Sequence, residues 1–188
     1  VSPDGSGDFH NLEEALAAIP KDSVLTLRRG AYVLRRGVVL KQAVTLIGEG
    51  IDATQIVAET GDYVIRYEGD GLFRMSDLSV RWWPGQDPEK KAADVVTVAQ
   101  GEIQFEHCCF SGANYNQKDN FYGAGLFIIG DTRGAITNCL ITGNGLGVQI
   151  SDQAQPLLKG NICTLNLGSG ISLYKQAQPT LEKNFCAG

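Results

Sequence analysis

Residues 147–163 read GVQISDQAQPLLKGNIC, and residues 170–186 read GISLYKQAQPTLEKNFC. A shift of 23 positions lays Gly147 on Gly170, Ala154-Gln155-Pro156 on Ala177-Gln178-Pro179, Asn161 on Asn184 and Cys163 on Cys186. A period between about 20 and 50 residues is the signature of a repeat architecture. A unit this short cannot bury an apolar face alone, so its stability must come from stacking on its neighbours.

Working back from this pair, Gly125-Leu126-Phe127-Ile128-Ile129 followed by Ala135-Ile136-Thr137-Asn138 forms the preceding unit, with Asn138 lying 23 residues before Asn161. Looser units take in residues 95–98, 103–105 and 108–110, and residues 64–67, 72–75 and 78–80, where His107 and Asp77 stand in the place of the asparagine. Short Val/Ile/Leu runs punctuated by Gly, Asn and Pro describe strands that are turned sharply and repeatedly. Three such strands per coil predict an all-β chain, a right-handed parallel β-helix, its hand following the general preference of parallel crossovers. Asparagines in one turn column tolerate left-handed geometry and bond the next coil, which predicts a ladder of Asn138, Asn161 and Asn184. Pro156 and Pro179 belong in turns or at strand starts, and Cys163 and Cys186 are expected to stack as thiols.

The N-terminal region differs. Asn11-Leu12-Glu13-Glu14 has the form of a capping box, and Leu12, Ala15, Leu16 and Ile19 follow helical spacing up to Pro20, predicting a helix over about residues 11–19 that lids the first coil. The other end stops part-way through a unit. One β-helix domain over residues 1–188 is therefore expected, with its last coil continued by further chain or covered by a second copy, a route to self-association.

Composition narrows the partners. The net charge is −5, from 16 basic and 21 acidic residues, and no basic block exceeds a pair, which argues against nucleic acid. No apolar run approaches the roughly 18 residues of a membrane span, so no membrane partner is expected. Five cysteines without a C-x-x-C pair point to reduced thiols rather than a disulfide framework or zinc site, and slightly favour a reducing cytoplasm. No metal or other cofactor is expected.

Two insertions break the period, at residues 82–93 (WWPGQDPEKKAA) and 112–123 (GANYNQKDNFYG). Both should leave the solenoid at the same corner on adjacent coils and form one wall beside a sheet face. They carry Trp82, Trp83, Asp87, Tyr115, Asp119, Phe121 and Tyr122, with Asp94 just beyond the first. Aromatic faces flanked by carboxylates suit sugar binding, since rings stack on apolar sugar faces and hydroxyls need polar partners. The alternative is that these aromatics pack the loops onto the flank. Asp131 and Asp152 lie near equivalent strand ends, with Lys175 at the next. Stacking at about 4.8 Å would bring such an aspartate pair close enough to hold a cation, although solvated turn carboxylates are the commoner outcome. His107-Cys108-Cys109 reads as a corner histidine with structural thiols, because neighbours on a strand face opposite ways.

Residues 1–9 (VSPDGSGDF) with the following helix, Arg29-Gly30-Ala31-Tyr32, and residues 44–50 (VTLIGEG) resemble the opening of pectin methylesterases and related pectate-lyase-like β-helix proteins over about the first 57 residues. From residue 125 onward the Ala-Gln-Pro and Asn repeats resemble the β-helix repeats called carbohydrate-binding and sugar-hydrolase repeats, found in bacterial multidomain proteins and certain F-box proteins. The first resemblance implies catalytic aspartates in QDTL-like and DFIFG-like motifs and an arginine in an LGRPW-like motif. This chain offers Gln86-Asp87-Pro88-Glu89 and Asp94-Val95-Val96-Thr97, which share only fragments, and nothing like the arginine motif. The expectation is a non-catalytic module binding a glycan or protein along its flank, through Trp82, Trp83, Asp87, Asp94, Tyr115, Asp119, Phe121, Tyr122 and Asp131. The alternative is a polysaccharide-active enzyme using loop carboxylates.

Overall fold

The computed structural model describes residues 1–83, 93–116 and 120–188. The chain winds in coils of three short strands. The first coil holds β1 (Ser23–Thr26), β2 (Gly30–Leu34) and β3 (Val38–Leu40), and the second β4 (Val44–Ile47), β5 (Thr54–Ala58) and β6 (Tyr63–Tyr67). The third holds β7 (Leu72–Ser76), β8 (Ser79–Trp82) and β9 (Asp94–Val98). The fourth has β10 (Glu102–Glu106), β11 (Cys109–Ser111), a side hairpin of β12 (Tyr115–Asn116) and β13 (Phe121–Tyr122), then β14 (Ala124–Ile128). Next come β15 (Arg133–Thr137), β16 (Leu140–Thr142) and β17 (Leu146–Ile150), then β18 (Gln155–Lys159), β19 (Ile162–Thr164) and β20 (Ile171–Leu173), and last β21 (Thr180–Glu182) with β22 (Phe185–Ala187).

Like strands of successive coils pair in parallel. Sheet A runs β1-β4-β7-β10-β15-β18-β21, sheet B β2-β5-β8-β11-β16-β19-β22, and sheet C β3-β6-β9-β14-β17-β20. Alternation along each strand turns one apolar row inward. Tyr67, Phe73, Phe105 and Phe110 fill the middle of the core, with successive ring centroids 5.1, 5.3 and 5.7 Å apart. At the N-terminal end helix α1 (Leu12–Ala18) is capped by Asn11, whose side chain accepts the Glu14 amide, and it buries Leu12 and Ala15 against the first coil. The Val1 ammonium donates to the Thr26 carbonyl, and the Tyr32 hydroxyl donates to the Val1 carbonyl. No helix of the described residues is long and apolar enough to cross a membrane.

The corner from sheet A to sheet B departs from the constant 23-residue alignment. Thr137 pairs with Lys159 and Lys159 with Glu182. The residues that follow them, Asn138, Gly160 and Lys183, therefore share one column, together with Asp77 and His107. All five have positive φ, between 49° and 67°. One coil is a residue shorter here, so Asn138 is a left-handed corner residue and stands one position before the column of Asn161 and Asn184. Asn161 takes the Cys139 amide on its Oδ1 and donates to the Ile136 carbonyl and the Asn184 Oδ1. A second stack unforeseen from the repeat lies at the corner from sheet B to sheet C. Asn144 accepts the Ala113 amide and donates to the Asn166 Oδ1. Room for these amides comes from Gly125 and Gly147, where a Cβ would lie 2.7 Å from the Asn144 Nδ2 and 3.0 Å from the Asn166 Nδ2.

Candidate functional site

Both insertions leave at the corner from sheet B to sheet C, on consecutive coils. Ala93 and Asn114 form an antiparallel bridge, with N–H to O distances of 3.2 and 2.9 Å, and the Gly123 amide donates to the Asn114 carbonyl. The insertion roots are thus stitched together by backbone, and Tyr115 pairs with Tyr122 across the hairpin.

Below this root, sheet C has an irregular start. Tyr63 pairs with Asp94 and Ile65 with Val96, while Val64 and Val95 fall between paired positions. Two consecutive residues are buried in each strand, Val64 with Ile65 and Val95 with Val96. Strict alternation is broken there. Asp94 consequently shares the outer face with Thr97, whose hydroxyl donates to its Oδ2 at 3.1 Å. Tyr63 likewise shares that face with Arg66, whose guanidinium carbon sits 5.9 Å from the Tyr63 ring centroid.

Asp94 is the most perturbed carboxylate in this neighbourhood. Its Oδ1 accepts the Ala124 amide at 2.8 Å, and its main chain accepts from the Trp82 indole and donates to the Asp62 carbonyl. Burial raises its pKa to about 6, helped by the Asp62 charge and opposed by the Ala124 and Thr97 bonds and the Arg66 charge. Arg66 is fixed in turn by a 2.6 Å bond to Glu68, whose carboxyl it holds below its usual range. The result is an outward cluster of Asp62, Tyr63, Arg66 and Asp94 beside the hairpin, with the buried Thr97 bonded to Asp94. A carboxyl near pKa 6 can carry a proton close to neutrality.

The candidates from sequence divide accordingly. Asp94 sits at the centre of this cluster, and Tyr115 and Tyr122 lie half-buried in the adjoining hairpin. Trp82 is only 5% exposed and packs in the core, whereas Trp83 is 51% exposed. Asp87, Asp119 and the Phe121 side chain lie outside the described residues. Asp131 is exposed and out of register with Asp152. Ile128 pairs with Ile150, which sets Asp131 against Gln153 and Asp152 against Gly130. Asp152 instead accepts from Lys175 and the Gly130 amide, and both hold its carboxyl low. Among the described residues no group of three His, Cys, Asp or Glu side chains is placed to hold a metal ion. All five thiols are free. Burial pushes Cys163 up to about 12, and Cys108 is raised as well, first by its side-chain hydrogen bond with Cys139 and then by burial.

Asp62 and Arg66 were missed in the sequence because no motif holds them. The available signal was their place in the coil before Asp94, at the same corner.

The family described as right handed beta helix region matches residues 64–187. With three stacked parallel sheets, this chain belongs to that family. A pectinesterase/pectinesterase inhibitor of Ficus pumila var. awkeotsang is 30% identical over 163 residues, covering 74% of this chain and 29% of its own length. A probable pectinesterase of Arabidopsis thaliana is 26% identical over 172 residues, covering 79% of this chain and 59% of its own length. The chain thus spans less than two thirds of either relative. Among solved structures, pectin methylesterase from carrot matches with a TM-score of 0.59 and 18% identity, over 98% of this chain and 70% of that one. That likeness is one of fold.

Proposed function

We propose that this chain acts on a polysaccharide, as the β-helix of an ester hydrolase whose proton carrier is Asp94. The carrying observation is the carboxyl raised to about 6 on an outward face, close to Arg66 and Asp62 and next to the Ala93–Asn114 bridge that joins the insertion roots. The relatives named pectinesterase support the choice of substrate class and reaction. In this reading the ionised Asp94 takes a proton from water as the water oxygen bonds to the ester carbonyl carbon, returns that proton to the alkoxide oxygen as the C–O bond breaks so that the alcohol leaves, and the sugar acid that remains releases its own proton to solvent as a carboxylate. Tyr63 and the hairpin tyrosines would flank the sugar ring.

A second reading is a polysaccharide-binding module without catalysis. It is favoured by the bonding of both Asp94 oxygens to groups of the fold and by the fragmentary esterase motifs. Methanol release from methyl-esterified pectin separates the two. The hydrolase reading expects release that rises as pH passes about 6 and drops at least 100-fold in Asp94→Asn. Binding of the polymer without methanol release, or release unchanged in Asp94→Asn, would overturn it.

A further inference from the structure

Strand β6 and the residue after it carry a charged pair to which the proposed hydrolysis gives no role. Arg66 and Glu68 lie two residues apart, so both stand on the outer face of sheet C, and Tyr63 joins them there through the irregular start of the strand. Arg66 is thus held from both sides. Its Nε donates to the Glu68 Oε1 at 2.6 Å, and its guanidinium carbon lies 5.9 Å from the Tyr63 ring centroid. Glu68 is itself anchored to the coils on either side. Its amide donates to the Leu40 carbonyl of β3 at 2.8 Å, and its carbonyl accepts from the Gln100 Nε2 beyond β9 at 2.9 Å.

The pair adds little to stability, because the side chains remain 30% and 34% exposed and ion pairs this open to water are screened. What it fixes is the place of a charge. Arg66 is in register with Thr97, whose hydroxyl bonds the Asp94 Oδ2, so the guanidinium belongs to the strand next to the Asp94–Thr97 pair and its charge favours the ionised carboxyl. Among the described residues the other groups acting on Asp94 are the Asp62 charge, which opposes Arg66, and the Ala124 amide and Thr97 hydroxyl, which support it. The phenols of Tyr63, Tyr115 and Tyr122 are the remaining titratable neighbours. Glu68 in turn responds to Arg66 and Lys41. Coulomb attraction falls with distance, so whatever holds the Arg66 side chain also governs Asp94.

We propose that Glu68 is a positioning residue for Asp94: by gripping Arg66 at Nε it holds the guanidinium against Tyr63 and fixes the distance at which that charge acts on the carboxyl. Its meaning for catalysis rests on the hydrolase reading above, whereas the grip itself does not. Two roles for Glu68 differ in sign. A carboxylate acting only through its own negative charge would favour protonated Asp94, and removing it would move the Asp94 titration to lower pH. A carboxylate acting by its hold on Arg66 does the opposite. Its removal lets the guanidinium swing into solvent, takes the cation away from Asp94 and moves the titration to higher pH.

The test is a carbon-13 NMR titration of the Asp94 carboxyl in the 188-residue chain, its signal assigned by its loss in Asp94→Asn, alongside the pH profile of methanol release from methyl-esterified pectin. Glu68→Ala and Arg66→Gln should each raise the Asp94 midpoint by about 0.5 pH unit or more. The double variant should titrate no higher than Arg66→Gln alone, since Glu68 has nothing left to hold. The rise of methanol release with pH should shift in the same order. Circular dichroism of the variants checks that the fold is kept. A midpoint lowered or unmoved in Glu68→Ala, or a further rise when Glu68→Ala is added to Arg66→Gln, would overturn the positioning role. The carboxyl is read without substrate, so a parent that released no methanol would count against the hydrolase reading and leave this test of the grip intact.

Discussion

At Asp94 the fold lifts a carboxyl to about 6, against about 3.9 in an unfolded chain. Between these values the folded chain keeps a proton that the unfolded chain has released. The stabilising contribution of protonated Asp94 is therefore complete below about pH 3.9 and is lost as pH rises through 6, a swing of about 3 kcal/mol. Asp94→Asn removes the titration, and the Thr97 hydroxyl can turn to accept from the new amide. The variant should match the parent near pH 4 and exceed its stability by up to about 3 kcal/mol at pH 8, as read by urea denaturation at the two pH values. A variant less stable at pH 8 would show that the bonds to the ionised carboxylate outweigh its desolvation. Asp94 itself was legible in sequence, because it follows an insertion and opens a strand. Its partners were not, since Asp62 and Arg66 meet it only through the stacking of one coil on the next.

Among the elements, the turn columns decide how a coil closes. Asn138, Asn161 and Asn184 look equivalent at a fixed spacing, yet they do two different jobs. Asn138 supplies a left-handed backbone, which glycine adopts at least as readily. Asn161 is buried and satisfies main-chain groups of the preceding coil. Asn138→Gly should thus change stability by no more than about 0.5 kcal/mol, whereas Asn161→Ala leaves buried donors and acceptors unpaired and should cost about 2 to 3 kcal/mol. Chemical denaturation of the two variants checks the contrast. Equal losses would restore the simpler picture of one column. Repeat spacing could not separate them because a coil one residue shorter shifts register without leaving a mark in composition. Helix α1 was readable to within a residue at each end, since its cap and its spacing are both local. The irregular start of sheet C was not readable, because it follows from what packs above it.

Across the whole molecule, each coil touches mainly its two neighbours, as the order of the three sheets shows. The architecture was legible for the same reason. A repeated unit has few ways to bury its apolar row, and stacking in parallel is the simplest. Function was much less so, because the outer faces obey no period and their chemistry depends on which side chains neighbouring coils bring together. The stacking also carries a mechanical consequence. Ladder hydrogen bonds between coils run along the long axis of the solenoid, so a force applied at the two chain ends loads the bonds of an end coil alone. The molecule should open as a zipper, coil by coil, at low and nearly constant force. Each release should add roughly 75 Å of contour length. Single-molecule extension would show a ladder of such steps, and one abrupt rip of the full length would contradict it. The wide face and narrow ends of this fold thus give it stiffness against load from the side and compliance along its own axis.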